Sequence, residues 1–116
     1  RGRGARRRQQ RGERGRRTPA ALTADDGDLI ALVKPQFEVG RPGLGKGGIV
    51  RDPGLHSTAV RDVVTAMRDA SLMTEGVMPS PLHGADGNIE FLIHCTRSGP
   101  MIGPDAVRAA VAEAHA

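Results

Sequence analysis

Tryptophan and tyrosine are missing from this chain, and phenylalanine occurs only as Phe37 and Phe91, so aromatic residues make up 2% of 116. Val, Leu, Ile, Met and Ala must therefore fill whatever core it has. Cysteine occurs once, as Cys95. That excludes an internal disulfide and suits a reducing, cytoplasmic setting. No apolar run approaches the ~20 residues of a membrane-spanning helix. The arginine-rich start also lacks the apolar centre of a secretory signal. Long regular elements should be few, because 16 Gly and 8 Pro break them. What remains is the composition of one modest soluble domain.

The net charge of +4 conceals two opposite parts. Residues 1–17 hold nine Arg and one Glu, which is +8, so the other 99 residues carry eight basic and twelve acidic groups, which is −4. A basic pI thus belongs to the tail and not to the body. The segment RGRGARRRQQRGERGRR has one apolar residue, Ala5, and cannot bury a core, so residues 1–19 are expected to form a disordered Arg/Gly-rich tail. One reading is an RNA-binding tail acting through phosphate charge, although the aromatic interleaving of a base-stacking surface is missing. The other is out-of-frame translation of GC-rich DNA, which yields Arg, Gly, Ala and Pro.

The body is organised around Leu29-Ile30-Ala31-Leu32-Val33-Lys34-Pro35. Five unbroken apolar residues read as a strand buried on both faces of a parallel sheet. Pro35 has no N–H to give a ladder, so the strand should end at Lys34. Ligands bind at the carboxyl ends of strands in open α/β sheets, which makes Lys34 a candidate site residue. The residues alone leave it open between a functional amine and a solvated strand end. A loop of about fifteen residues should follow, long enough to suggest a function. It carries Arg41, Lys46 and Arg51, which could face RNA phosphate or could simply be solvated. Gly43 to Gly48 formally satisfies G-x-G-x-x-G, but no strand precedes it and no helix opens from it, so a dinucleotide site is rejected.

Asp52-Pro53 is a helix start, and Leu55, Ala59, Val60, Val63, Val64 and Met67 form a helical stripe running to about Ala70. A second strand is expected over residues 73–78 and a turn at Asp86-Gly87. A third strand over 88–94 should put Ile89, Phe91 and Ile93 on one face and Glu90, Leu92 and His94 on the other. An inward carboxylate at Glu90 needs a partner. A last helix should begin at Pro104-Asp105. Two strands joined by a helix imply a parallel crossover, and the short connection to the third implies an antiparallel edge hairpin. Three such strands make half of a doubly wound sheet. His56, His83, His94 and His115 lack metal-ligand spacing, and Cys95 has no partner cysteine, so no metal is expected and structural or surface roles are assigned to them.

Three spaced motifs resemble the TlyA family: Leu32-Val33-Lys34-Pro35-Gln36-Phe37-Glu38, then Gly45-Lys46-Gly47-Gly48-Ile49-Val50-Arg51-Asp52-Pro53, then Ser80-Pro81 with Gly87-Asn88-Ile89-Glu90-Phe91. The similarity spans roughly residues 20–96. Members of that family, also known as haemolysins, are FtsJ-like ribosomal RNA 2′-O-ribose (cytidine) methyltransferases that use S-adenosylmethionine. The resemblance implies an α/β fold, the C-terminal half of a Rossmann-like class I methyltransferase sheet. It implies domain limits of 20–98 for the partial methyltransferase domain and 99–116 for a C-terminal helix. Of the family's Lys-Asp-Lys-Glu set, Lys34 looks like the second lysine and Glu90 like the final glutamate. The other two have no counterpart, and neither does the glycine-rich turn that holds the cofactor or the family's S4 RNA-binding domain. The implied partners are ribosomal RNA and ribosomal subunits, with no membrane. The implied activity of this chain alone is none, and the rival expectation is a non-enzymatic RNA-binding protein using its arginine tail.

Overall fold

The structure, a computed structural model, describes residues 27–40 and 43–116. The expected tail and Arg41 fall outside the described residues. Strand β1 spans Asp28–Val33 and stops where Lys34, extended at φ −111° and ψ 97°, meets Pro35. Proline imposes that extended conformation on its predecessor and then opens a helix, α1, at Pro35–Glu38. The expected structureless loop is thus shortened by α1 and by a single 3-10 turn at Lys46–Gly48.

Helix α2 covers Pro53–Asp69, with the Asp52 carboxylate accepting the Gly54 N–H at 2.8 Å as its N-cap. It ends in a Schellman arrangement. Ser71 turns left-handed at φ 68°, its N–H reaches the Arg68 carbonyl, and the Leu72 N–H reaches that of Met67. Strand β2 follows at Met73–Pro79, β3 at Phe91–Thr96 and helix α3 at Pro104–Ala114. The third strand therefore begins three residues later than the 88–94 alternation suggested. Residues 88–90 hold the loops instead.

The sheet order is β1-β3-β2, and both neighbouring pairs are antiparallel. This corrects the expected parallel pair with an edge hairpin. Strands β1 and β2 do run in the same direction, as a helical crossover requires, but the crossover leaves a gap one strand wide and β3 fills it. Phe91, Ile93 and Cys95 of β3 are accordingly almost wholly buried, with Val60, Val63 and Val64 of α2 and Val107, Ala110 and Val111 of α3 packed over the same face. Each Val, Ile or Phe side chain among them contributes about 1.5–3 kcal/mol on leaving water, before entropy is counted.

The expectation that β1 is buried on both faces is also corrected. Leu29, Ala31 and Val33 pack toward the helices, whereas Ile30 is 61% and Leu32 45% exposed. Both helices cover one side of the sheet, and among the described residues nothing covers the other.

Candidate functional site

Strands β1 and β3 pair from Asp28↔Thr96 to Val33↔Phe91. The next residue on each strand is Lys34 and Glu90, so the backbone register brings these two to the same end of the sheet. Strand β2 ends there as well, with the Ser80 N–H donating to the Glu90 carbonyl at 2.8 Å.

Glu90 is 4% exposed. A carboxylate so placed needs a donor, and the Gln36 amide supplies one, Nε2 to Oε2 at 2.9 Å. Gly84 walls the other side. A Cβ there would lie 1.7 Å from Glu90 Oε2, so any larger residue would displace the carboxylate from this position. The turn that closes this wall puts Asp86 and Gly87 at φ 58° and 85°, the left-handed region that Asp and Gly tolerate.

Lys34 is half-buried and its ammonium lies 5.6 Å from the centroid of the Phe37 ring, which is itself 71% exposed. Such a contact at a wet site contributes about 0.5–1 kcal/mol and leaves the amine reachable. Among the described residues no ion pair within 4.0 Å joins Lys34 to Glu90. The carboxylate is oriented by Gln36, a residue sequence reasoning passed over.

The basic segment lies at this end too. Lys46 and Arg51 are exposed, and the Arg51 guanidinium donates to the Lys46 carbonyl at 3.1 Å, which keeps the two cations on one turn. Gly47 and Gly48, at φ 75° and 77°, make that turn. Val50 anchors it. Its N–H donates to Asn88 Oδ1 at 2.9 Å, and its carbonyl accepts from His56 Nε2 at 3.0 Å. Asn88 Nδ2 also donates to the Gly48 carbonyl at 3.2 Å.

His56 is wholly buried, edge-on to Phe91, with Nδ1 2.8 Å from His115 Nε2. Burial pushes its pKa below the ordinary 6.5, opposed by the Val50 carbonyl, with His115 adding to the shift and Asp52 countering it. Burial likewise raises the pKa of the Cys95 thiol, opposed by its hydrogen bond to Thr74 at 3.4 Å. His94 pairs with Asp28 at an exposed rim. Among the described residues no three His, Cys, Asp or Glu side chains form a metal-binding group, and no helix is long and apolar enough to cross a membrane.

Among the described residues, none forms a cradle that fits S-adenosylmethionine. Strand β1 runs into Lys34-Pro35 with no glycine-rich turn. Of the glycines in the 43–48 stretch, Gly43 and Gly45 are closed by their own loop: a Cβ would lie 2.7 Å from the Val39 side chain at the first and 2.6 Å from Arg51 Nη1 at the second. Gly47 and Gly48 are open, but they lie in the left-handed region of a 3-10 turn that follows no strand.

Comparison with known proteins identifies the family and the fold. The profile of a family described as FtsJ-like methyltransferase matches residues 13–97. The Bacillus subtilis protein YqxC, named as a candidate rRNA methyltransferase, is 38% identical over 99 residues, which are 81% of this chain and 35% of that protein. The 16S/23S rRNA (cytidine-2′-O)-methyltransferase TlyA of Mycobacterium tuberculosis is 43% identical over 68 residues, covering 59% of this chain and 25% of TlyA. A solved structure of a candidate hemolysin from Streptococcus thermophilus superposes with a TM-score of 0.77 at 39% identity, over 85% of this chain and 37% of the other. The chain thus spans about a third of the length of such relatives.

Proposed function

The chain belongs to the FtsJ-like methyltransferase family, and we propose that it forms the closing part of the catalytic domain of a ribosomal RNA 2′-O-methyltransferase that uses S-adenosylmethionine. The observation that carries this is the register, which brings Lys34 and Glu90 to one end of the sheet just past the last β1–β3 pair. A ribose 2′-hydroxyl is a weak acid and must lose its proton as it becomes a nucleophile. The Lys34 amine, in its neutral form, is a group of the right kind to accept that proton. Glu90, fixed by Gln36, is a carboxylate that can hold the amine or the hydroxyl in line. Lys46 and Arg51, and Arg41 before them, supply cations for the RNA backbone.

No cradle for the methyl donor exists among the described residues, so the transfer step is not assigned to this chain. Alone it should neither bind S-adenosylmethionine nor turn over. The share of its relatives that it spans and the open side of β1 both support this division of labour.

The test is a chimera in which residues 20–98 replace the matching part of TlyA from M. tuberculosis. Methyl transfer from tritiated S-adenosylmethionine to ribosomal subunits should be retained in the chimera and lost in its Lys34→Ala and Glu90→Gln forms. The isolated chain should be inert. A Lys34→Ala chimera as active as its parent would overturn the role given to Lys34. Turnover by the isolated chain would overturn the rest.

A further inference from the structure

Val50 is gripped on both sides of its peptide by two buried polar side chains from separate parts of the fold. Asn88 is 2% exposed and sits two residues before Glu90. Its amide accepts from the Val50 N–H and donates to the Gly48 carbonyl, taking both roles a neighbouring strand would take. His56, from the first turn of α2, reaches the Val50 carbonyl. A carbonyl can only accept, so His56 Nε2 must carry a proton. Nδ1 of the neutral ring is then bare, and His115 Nε2, 2.8 Å away past the end of α3, must fill it with an N–H. Were His115 absent, the ring could protonate at Nδ1 instead and leave the Val50 carbonyl unmet.

We infer that Asn88 and His56 are positioning residues for the basic segment 45–51, and that His115 acts through His56 by holding its tautomer. The inference rests on the proposed RNA-facing role of Lys46 and Arg51. Its content is that the two cations are set at a fixed height relative to Glu90 by a clamp on Val50. Arg51 follows Val50 directly, and Lys46 is tied to Arg51 through its carbonyl. The C-terminal helix, whose end carries His115, thereby gains a role in RNA placement.

The chain has two lysines, Lys34 and Lys46, among fifteen arginines. Lysine acetylation by N-hydroxysuccinimidyl acetate, read by mass spectrometry, therefore reports on both ends of the site without interference from the arginine tail. The full chain is footprinted with and without purified 16S and 23S rRNA. In the wild type, RNA should protect Lys46. In His115→Ala the protection should fall about fivefold, the factor that one ordinary hydrogen bond carries in an ordering equilibrium. In Asn88→Ala, which loses two such bonds, it should fall further. Acetylation of Lys34 without RNA and the far-ultraviolet circular dichroism should stay as in the wild type, which separates misplacement of the segment from loss of the fold. Should Asn88→Ala fail to fold, Asn88→Asp keeps the acceptor for Val50 and loses only the donor to Gly48, and its protection should fall about fivefold from the wild type. No protection of Lys46 in the wild type would remove the RNA-facing reading and the inference with it. Protection of Lys46 that survives both Asn88→Ala and His115→Ala would overturn the inference and leave that reading standing.

Discussion

Replacing Gln36 by leucine should strand a buried charge. Glu90 is 4% exposed, and the Gln36 amide donates to its carboxylate at 2.9 Å. A hydrogen bond to an ionised group contributes about 1.5–3 kcal/mol net. Gln36 itself is half-buried, so water can partly replace it and the lower end applies, about 1.5–2 kcal/mol. With a urea slope of roughly 1–1.5 kcal/mol/M for a domain of this size, the unfolding midpoint should drop by roughly 1–2 M. Glu90→Gln keeps an acceptor for the same amide and should lose less than about 1 kcal/mol. The double variant Gln36→Leu with Glu90→Leu removes donor and charge together, and should regain most of the loss. The assay is urea unfolding followed by circular dichroism, because the chain has no Trp or Tyr to fluoresce. If Gln36→Leu unfolds at the wild-type midpoint with an unchanged slope, the carboxylate is already satisfied by water. The claim that Gln36 orients Glu90 would then be wrong.

Gly84→Ala attacks the same carboxylate from its other side, since the new Cβ would lie 1.7 Å from Glu90 Oε2. It should abolish methyl transfer in the TlyA chimera while leaving its circular dichroism unchanged; normal turnover would show that the position of Glu90 does not matter. His56 makes stability depend on pH. Its folded pKa lies below 6.5, so the unfolded chain takes up a proton first, and the contribution of the neutral buried ring is complete above pH 6.5 and lost as pH falls from there through the lowered value. The urea midpoint should therefore be lower at about pH 5.5 than at about pH 7.5, and His56→Gln should flatten the difference; an equal slope in both proteins would refute the assignment. Cys95 is wholly buried with its thiol pKa raised, so Ellman's reagent should modify it only as the chain unfolds. Immediate reaction of the native protein would show that β3 is not the central strand.

What could be read from the sequence followed the range over which the signals act. The proline at residue 35, the Asp52-Pro53 start and the apolar stripe of α2 are local, and the structure honours all three. The order of the strands is not local. Alternation around Phe91 and Ile93 says which face is inward but nothing about which strands lie beside it, so β3 was expected at an edge and is found in the middle. The same limit explains the missed polar residues. Gln36 acquires its role from Glu90, 54 positions away, and His56 acquires its own from His115, 59 positions away. Asn88 falls within the expected strand because the alternation continues through it, although the ladder begins only at Phe91, and its partners Val50 and Gly48 are 38 and 40 positions away. That Lys34 and Glu90 come to the same end of the sheet was suggested in the sequence only by three motifs in register, since the two lie 56 positions apart.

The outer face of the sheet adds one more constraint on what the chain is for. A sheet covered on one side needs apolar residues only at alternate positions, and Leu29, Ala31 and Val33 meet that need. Ile30 and Leu32 do not face those helices. The register sets Leu32 opposite Leu92 and Leu92 opposite Met78, so an apolar row crosses all three strands on the uncovered side. Solvent gives no reason for such a row, since exposed strand faces normally alternate to polar residues. The composition of β1 is therefore that of a strand covered on both sides, set in a sheet whose described residues cover one. Lys34 stands at the end of that strand, where a second layer would meet the first.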